Sequence, residues 1–382
     1  GILQAMVVTP MCKVKEHGYF ITILHFVKKS ERNQFYYENK KNFSQLGISE
    51  IEINRCSNSA ADFAAAIFDQ IKLFYYSFKL FRKNDLLHIR GYPPIFSCLI
   101  LSYIFRKKII FDPRGLFPEE AVFLGKISSK SFKYKFLKYL EKKIVHRASG
   151  IICINSQMKN YFSRLSSLNI SKKIIILPNC SNCFVSEDNK SYKFEDSEFN
   201  LVYLGNAQSW HELEITIELM NRIKNELKCG IHFITNDISK IQSLIHDTKA
   251  ELEPKIYSIG HKNLHQKLSL MDIGFCLRTK SMISEVAFPV KFSDMYSAGV
   301  SIIFDEHIGD LNKFNNNKFH IPINRDKDSL DVITFKILNQ ISLLRQNKNL
   351  KLSIANDFNK YLSWDSHIHK LLKLYDEIGP PN

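Results

Sequence analysis

The sequence predicts an α/β protein built from two doubly wound halves, and three observations carry that reading. Short apolar runs alternate with helical stretches twice along 382 residues, a length beyond what one core ordinarily holds. The runs lack polar alternation, as in Ile151-Ile152-Cys153-Ile154 and Ile273-Gly274-Phe275-Cys276-Leu277. Strands of that kind belong to parallel sheets covered on both faces. Residues 185–198 are polar and show no apolar period, which marks a linker.

In chain order, the first half presents strand candidates at residues 20–26, 50–54, 86–89, 108–111, 151–154 and 174–177. Helical patterns cover 60–81 and 131–145. The second half repeats the scheme with strands at 201–204, 231–235, 256–259, 273–277, 301–304 and 319–321, and a helix over 213–226. The expected organisation is a first domain over 1–184, the linker 185–198, a second domain over 199–355 and a helical tail over 356–382. The last helical stretch, 350–378, is expected to pack back across both domains. A helical pattern over 4–16 precedes the first strand candidate, so the usual opening strand and glycine turn are expected to be missing or irregular. Ligands of open α/β sheets sit at the carboxyl ends of the strands, and a cleft between two facing domains is the default site.

The charge is uneven. Residues 1–184 hold 29 Lys+Arg against 12 Asp+Glu, a balance of +17, and the remainder holds 24 against 26, a balance of −2. An anionic partner is therefore expected for the first half. Residues 126–147 carry eight cations and one acid, Glu141, interleaved with Phe132, Tyr134, Phe136 and Tyr139. A basic amphipathic helix with aromatics suits an anionic membrane surface, with Lys130, Lys133, Lys135, Lys138, Lys142 and Lys143 facing the lipid. Residues 74–83 have similar character. No nucleic-acid module accompanies the charge, so nucleic acid is not an expected partner.

Eight cysteines are scattered, several inside apolar strand candidates, as buried thiols are in a reducing compartment. Cys180-x-x-Cys183 lacks a second ligand pair and is read as structural. Asp326-Lys-Asp328 is read as a solvated turn, and no metal is expected. No apolar run approaches the ~20 residues of a spanning helix, and nothing reads as a secretory signal. The expected place is the cytoplasm, peripheral on the inner face of the membrane.

The most informative stretch runs from Asp272-Ile-Gly-Phe-Cys-Leu-Arg278 to Glu285-Val-Ala-Phe-Pro289-Val290-Lys291-Phe-Ser-Asp294 and on to Gly299. A strand ends near Arg278, and Pro289 stands where a helix begins. The start of a helix is a ready anion site, and two cations beside it suit a diphosphate. Asp294, three residues beyond Lys291, can accept both hydroxyls of a ribose.

Pro289-x-Lys291-x-x-Asp294-x-x-x-x-Gly299 resembles the donor signature of GT-B retaining glycosyltransferases of the family 4 kind. Ala148-Ser-Gly-Ile-Ile-Cys-Ile-Asn-Ser156, Ile176-Leu-Pro178-Asn179 and Leu201-Val-Tyr-Leu-Gly205 resemble three further segments of that family, in the right order. The resemblance implies two Rossmann-like domains facing across a cleft. It implies a hexosyltransferase that moves a sugar, with retention, from a UDP- or GDP-sugar to a polysaccharide or lipid-linked glycan. Such chemistry belongs to lipopolysaccharide or capsule synthesis and needs no cofactor beyond the donor. Donor contacts carry over to Gly205, Asn206, Arg278, Pro289, Val290, Lys291 and Asp294. Catalytic roles fall to Arg114, which can stabilise an anion, and Glu285. His88, Arg90, Glu119 and Glu120 lie on the acceptor side.

The chain departs from the family pattern at several places. The donor carboxylate is Asp294 rather than Glu. The position eight residues earlier is Val286, with Glu285 one out of register. Asn206 and His211 stand where an Arg and a Lys are usual, and Asp112-Pro113-Arg114-Gly115 replaces a segment that often holds a histidine. Two rival functions remain open on the sequence: a sugar-nucleotide epimerase of the same fold, and a non-catalytic membrane scaffold.

Overall fold

The computed structural model describes residues 7, 9–27, 40, 43–56, 63–165, 174–181, 199–315, 318–347 and 349–379. The linker expected at 185–198 and Cys183 lie outside the described residues. The chain divides into two compact units, residues 2–177 with 367–382 and residues 178–366.

The first unit opens with α1 (Thr9–Glu16), β1 (Thr22–Val27) and β2 (Ser49–Asn54). Next come α2 (Phe63–Lys83), β3 (Leu86–Arg90), α3 (Ile95–Phe105), β4 (Lys108–Asp112) and α4 (Phe117–Phe123). α5 (Phe132–Arg147), β5 (Gly150–Cys153), α6 (Ser156–Leu165) and β6 (Ile174–Ile176) complete the run. Strands β3-β4-β5-β6 form one parallel sheet in sequential order. Ile109, Ile110, Phe111, Ile151 and Ile152 are fully buried, which is why their segments read as unbroken apolar runs. The first strand candidate does form, but among the described residues β1 pairs only with β2, in parallel.

The second unit has β7 (Phe199–Leu204), α7 (Leu213–Glu226), β8 (Cys229–Ile234), α8 (Ile238–Asp247), β9 (Lys255–Tyr257) and α9 (His261–Leu268). β10 (Ile273–Cys276), α10 (Met282–Glu285), α11 (Val290–Ser297), β11 (Ser301–Asp305), β12 (Ile321–Ile323), α12 (Leu330–Gln346) and α13 (Leu350–Leu362) follow. All strand pairings are parallel and the order is β12-β11-β10-β7-β8-β9. Chain order therefore reverses between β7 and β10, the topological switch point of a Rossmann-type sheet. Helix α7 packs through Leu213, Ile217, Met220 and Ile223, a stripe of helical spacing. Phe292 of α11 sits among Phe304, Tyr296, Phe314 and His320 and anchors that helix in the core.

Two sequence expectations are corrected. The stretch 350–378 is two helices, α13 and α14 (Trp364–Ile378), separated at Ser363, whose extended backbone (ψ 154°) ends α13. Pro178 to Ser181, expected in the first domain, belongs to the second unit, because Asn179 and Ser181 make their hydrogen bonds there. From His367 onward the last helix belongs to the first unit. Leu374 and Ile378 lie so close to Gly150 that an added Cβ would stand 2.6 Å from Ile378, so only glycine admits the helix there.

Candidate functional site

The switch point of the second unit gathers the residues that can hold an anion. β7 ends at Gly205, whose φ of +137° suits glycine. A Cβ there would meet the Tyr203 hydroxyl at 3.4 Å and Lys291 Nζ at 3.8 Å. β10 delivers Arg278 two residues past its end, and α11 begins after Pro289 with no side-chain cap on its first N–H groups. Arg278 and Lys291 are only 7% and 8% exposed. Lys291 Nζ lies 4.6 Å over the Tyr203 ring and 3.2 Å from His211 Nδ1. Arg278 lies 5.7 Å over Trp210, which accepts the Thr279 N–H through its carbonyl at 3.1 Å. Burial pushes Lys291 down to about 8, with Cys276 opposing and Arg278 adding to the shift. Among the described residues no carboxylate pairs with Lys291. A buried ammonium beside a second cation is costly, and a bound anion would offset that cost.

The backbone of Arg278 is clamped at both ends. Its N–H donates to Asp305 Oδ2 at 2.8 Å, and its carbonyl accepts from Arg325 Nη2 at 2.7 Å. Arg325 Nε donates to Asp305 Oδ1 at 2.6 Å, and Glu212 lies 3.4 Å from Nη2. Asp305 ends β11 and is 1% exposed.

Helix α11 is tied by the Pro178–Ser181 segment. Asn179 Nδ2 donates to the Phe288 carbonyl at 2.5 Å, and Ser293 Oγ donates to the Asn179 carbonyl at 2.5 Å. Ser181 Oγ donates to Asp294 Oδ1 at 3.2 Å. Burial raises the Asp294 carboxyl to about 6, against that hydrogen bond. Pro289 and Val290 are half-buried and Asn206 is exposed, its carbonyl accepting the Tyr203 hydroxyl. Glu285 is exposed at the end of α10, while Val286 beside it is buried. Asp326 pairs with Lys280, and Asp328 pairs with Lys336 at 2.7 Å.

In the first unit, the carboxyl ends of β3 and β4 converge on the fully buried Asp112. Arg114 approaches its Oδ2 through Nη2 at 2.7 Å and Nε at 2.8 Å. Arg90 stands at 3.6 Å and His88 Nε2 at 3.3 Å. Burial alone would raise the Asp112 carboxyl, but Arg114, His88 and Arg90 hold it far below the usual range. The other His88 nitrogen meets the Tyr375 hydroxyl at 2.6 Å. Arg114 adopts φ 61°, a left-handed backbone uncommon outside glycine.

Glu119 and Lys138 do not stand as the sequence suggested. Lys138 turns inward to Glu141 and to Glu119 at 2.9 Å, with Tyr161 and Tyr134 bonded to the same acids. Glu141 is fully buried and needs a cation there. Lys138 is therefore a strut between α4, α5 and α6 rather than a surface cation. Lys130, Lys133, Lys135, Lys142 and Lys143 are exposed, and Glu120 is half-buried at the start of α4.

Sequence reasoning missed Asp112, Trp210, Asp305 and Arg325 as parts of these sites, and saw His211 only as a mismatch. Asp112 and Asp305 had a signal, since each is an acid closing an apolar strand. Arg325 had none, because its partners lie 20 and 47 residues away in the chain.

No protein-family model and no curated protein sequence matches the chain. Solved structures do. A glycosyltransferase from Rickettsia africae superposes with a TM-score of 0.68 at 15% identity, covering 98% of this chain and 96% of that one. HepE from Anabaena in complex with UDP gives 0.69 at 10% identity, with 96% of each chain covered. Sucrose-phosphate synthase from Thermosynechococcus elongatus gives 0.66 at 11% identity, covering 94% and 98%. Over nearly the whole length, the chain shares the GT-B α/β fold of these glycosyltransferases.

Proposed function

We propose that the chain is a glycosyltransferase that takes a sugar from a nucleotide diphosphate sugar and transfers it to a glycan or lipid-linked acceptor. The observation that carries this is the meeting of Arg278, Lys291, the Gly205 turn and the start of α11 at the switch point of the second unit. Two buried cations and an uncapped helix start suit a diphosphate. The HepE structures hold UDP, UDP with glucose, and UDP-glucose, which supports a UDP-sugar as donor. Asp294 is assigned to the ribose and Glu285 to the donor sugar. Arg278, Lys291 and the α11 start would meet the charge of the leaving diphosphate without a divalent ion. Retention of configuration is part of the same proposal.

The test is incubation with UDP- and GDP-hexoses in the presence and absence of lipid-linked glycans. Acceptor-dependent release of the nucleoside diphosphate, with sugar appearing on the acceptor, is the expected result. Isomerised donor with no transfer would show an epimerase instead.

The acceptor is assigned to the first unit, through Arg90, Arg114, His88 and Glu120, and is reached at an anionic membrane surface. Phe132 is 84% exposed and stacks on Phe136 at 6.3 Å, while Phe136 approaches the exposed Phe96 of α3 at 6.4 Å. Lys143 and Arg147 lie over the exposed rings of Tyr139 and Tyr103 at 5.3 and 5.4 Å. Among the described residues no helix is long and apolar enough to cross a membrane. Cations rimming solvent-facing aromatics suit interfacial docking. Binding to vesicles rich in anionic lipid should weaken steeply with salt. Phe132→Ser should weaken it by about tenfold, the worth of one aromatic removed from the interface. Equal binding to neutral vesicles at all ionic strengths would refute this surface.

A further inference from the structure

Resting on the donor-site reading above, the inference concerns three side chains in a row: Trp210, His211 and Lys291. The Trp210 indole N–H lies 3.1 Å from His211 Nε2, and His211 Nδ1 lies 3.2 Å from Lys291 Nζ. An indole nitrogen only donates, so His211 must present a lone pair at Nε2. A neutral imidazole with its lone pair there carries its proton on Nδ1. That proton points at Lys291, and only an uncharged amine has a lone pair to receive it. An imidazolium would set an N–H against the indole N–H. Burial, with Lys291 and Arg278 close by, also holds His211 far below its usual range.

The groups facing Lys291 add no opposing pull of consequence. Cys276 and Arg278 come from β10 and its end, the Tyr203 ring from β7, and His211 from the turn before α7. The lysine already titrates at about 8. A diphosphate would favour the ammonium and lift that value. The window for proton uptake therefore opens above about pH 8 and closes below it, where Lys291 is charged with or without ligand.

We propose that Trp210 and His211 are positioning residues that hold Lys291 uncharged in the empty donor site at mildly alkaline pH. A nucleoside diphosphate entering the site then recharges the lysine with one proton drawn from solvent. The nitrogen released from His211 turns to the phosphate oxygens, and the Nδ1–H of His211 becomes a second donor to them.

The experiment is calorimetric titration of the full chain with UDP, and in parallel GDP, in buffers of different ionisation enthalpy at about pH 8.5 and about pH 7. Uptake of most of a proton per nucleotide is expected at the higher pH, falling towards zero at the lower. Lys291→Arg keeps a permanent charge and should bind without uptake. Trp210→Phe keeps the ring but removes the N–H, so His211 can accept from a charged lysine. The onset of uptake should then move up by about one pH unit, the equivalent of one hydrogen bond. Buffer-independent heats in the native chain, uptake preserved in Lys291→Arg, or an unmoved onset in Trp210→Phe would each overturn the proposal while leaving the donor site standing. Failure of both nucleotides to bind the native chain would overturn the donor-site reading itself.

Discussion

Asp305→Ala should lower the stability of the second unit by about 3–5 kcal/mol, the cost of removing one partner from a buried ion pair. The side chain is 1% exposed and serves Arg325 and the Arg278 N–H together. Its loss leaves a guanidinium, 20% exposed, without its carboxylate, and a buried N–H without an acceptor. A fall of roughly 10 °C in melting temperature is expected. The double variant Asp305→Leu/Arg325→Met should recover a substantial part of the loss, because an apolar pair removes both buried charges. A single variant that melts with the native protein would show that Arg325 finds another partner and that the clamp on Arg278 is incidental.

Lys291→Met should act in opposite senses on stability and on binding. Without ligand, the buried amine has no carboxylate beside it and lies near Arg278. An apolar chain of similar length should therefore stabilise the empty protein, by about 1 kcal/mol or more. A lysine retained for a diphosphate should at the same time be missed by the ligand. UDP affinity should fall by a factor of roughly 10–100, the worth of a charged hydrogen bond. Paired melting curves with and without UDP read both effects at once. A lower melting temperature with an unchanged UDP shift would make Lys291 a structural residue. Stability given up at a single buried charge is the mark of a site kept for function.

Several residues of the donor region could be read from the chain because their signals are local. A strand that runs into Gly205, a strand end before Arg278 and a proline before Lys291 are visible within a few residues of one another. Each reflects backbone rules: φ beyond the reach of a side chain, a strand buried on both faces, a helix start that tolerates proline. The partners of those residues were not legible. His211 reads as a mismatch in sequence, yet it is the only hydrogen-bond partner of the Lys291 amine among the described residues. Lys138 reads as one more cation in a basic run, but the buried Glu141 one turn along draws it inward. Whether a lysine faces solvent or an acid depends on what the next helix places there.

By itself, the sequence determined the alternation of parallel strands with helices, the cationic first half and the residues that close each strand, because periodicity and backbone preference act over a few neighbours. Tertiary structure alone decided the reversal of strand order between β7 and β10, the capture of Asn179 and Ser181 by α11, and the clamp of Asp305 and Arg325 on Arg278. Those depend on groups up to 114 residues apart being desolvated together. The free energy of a buried charge is set by everything around it, and no short stretch of chain contains that information.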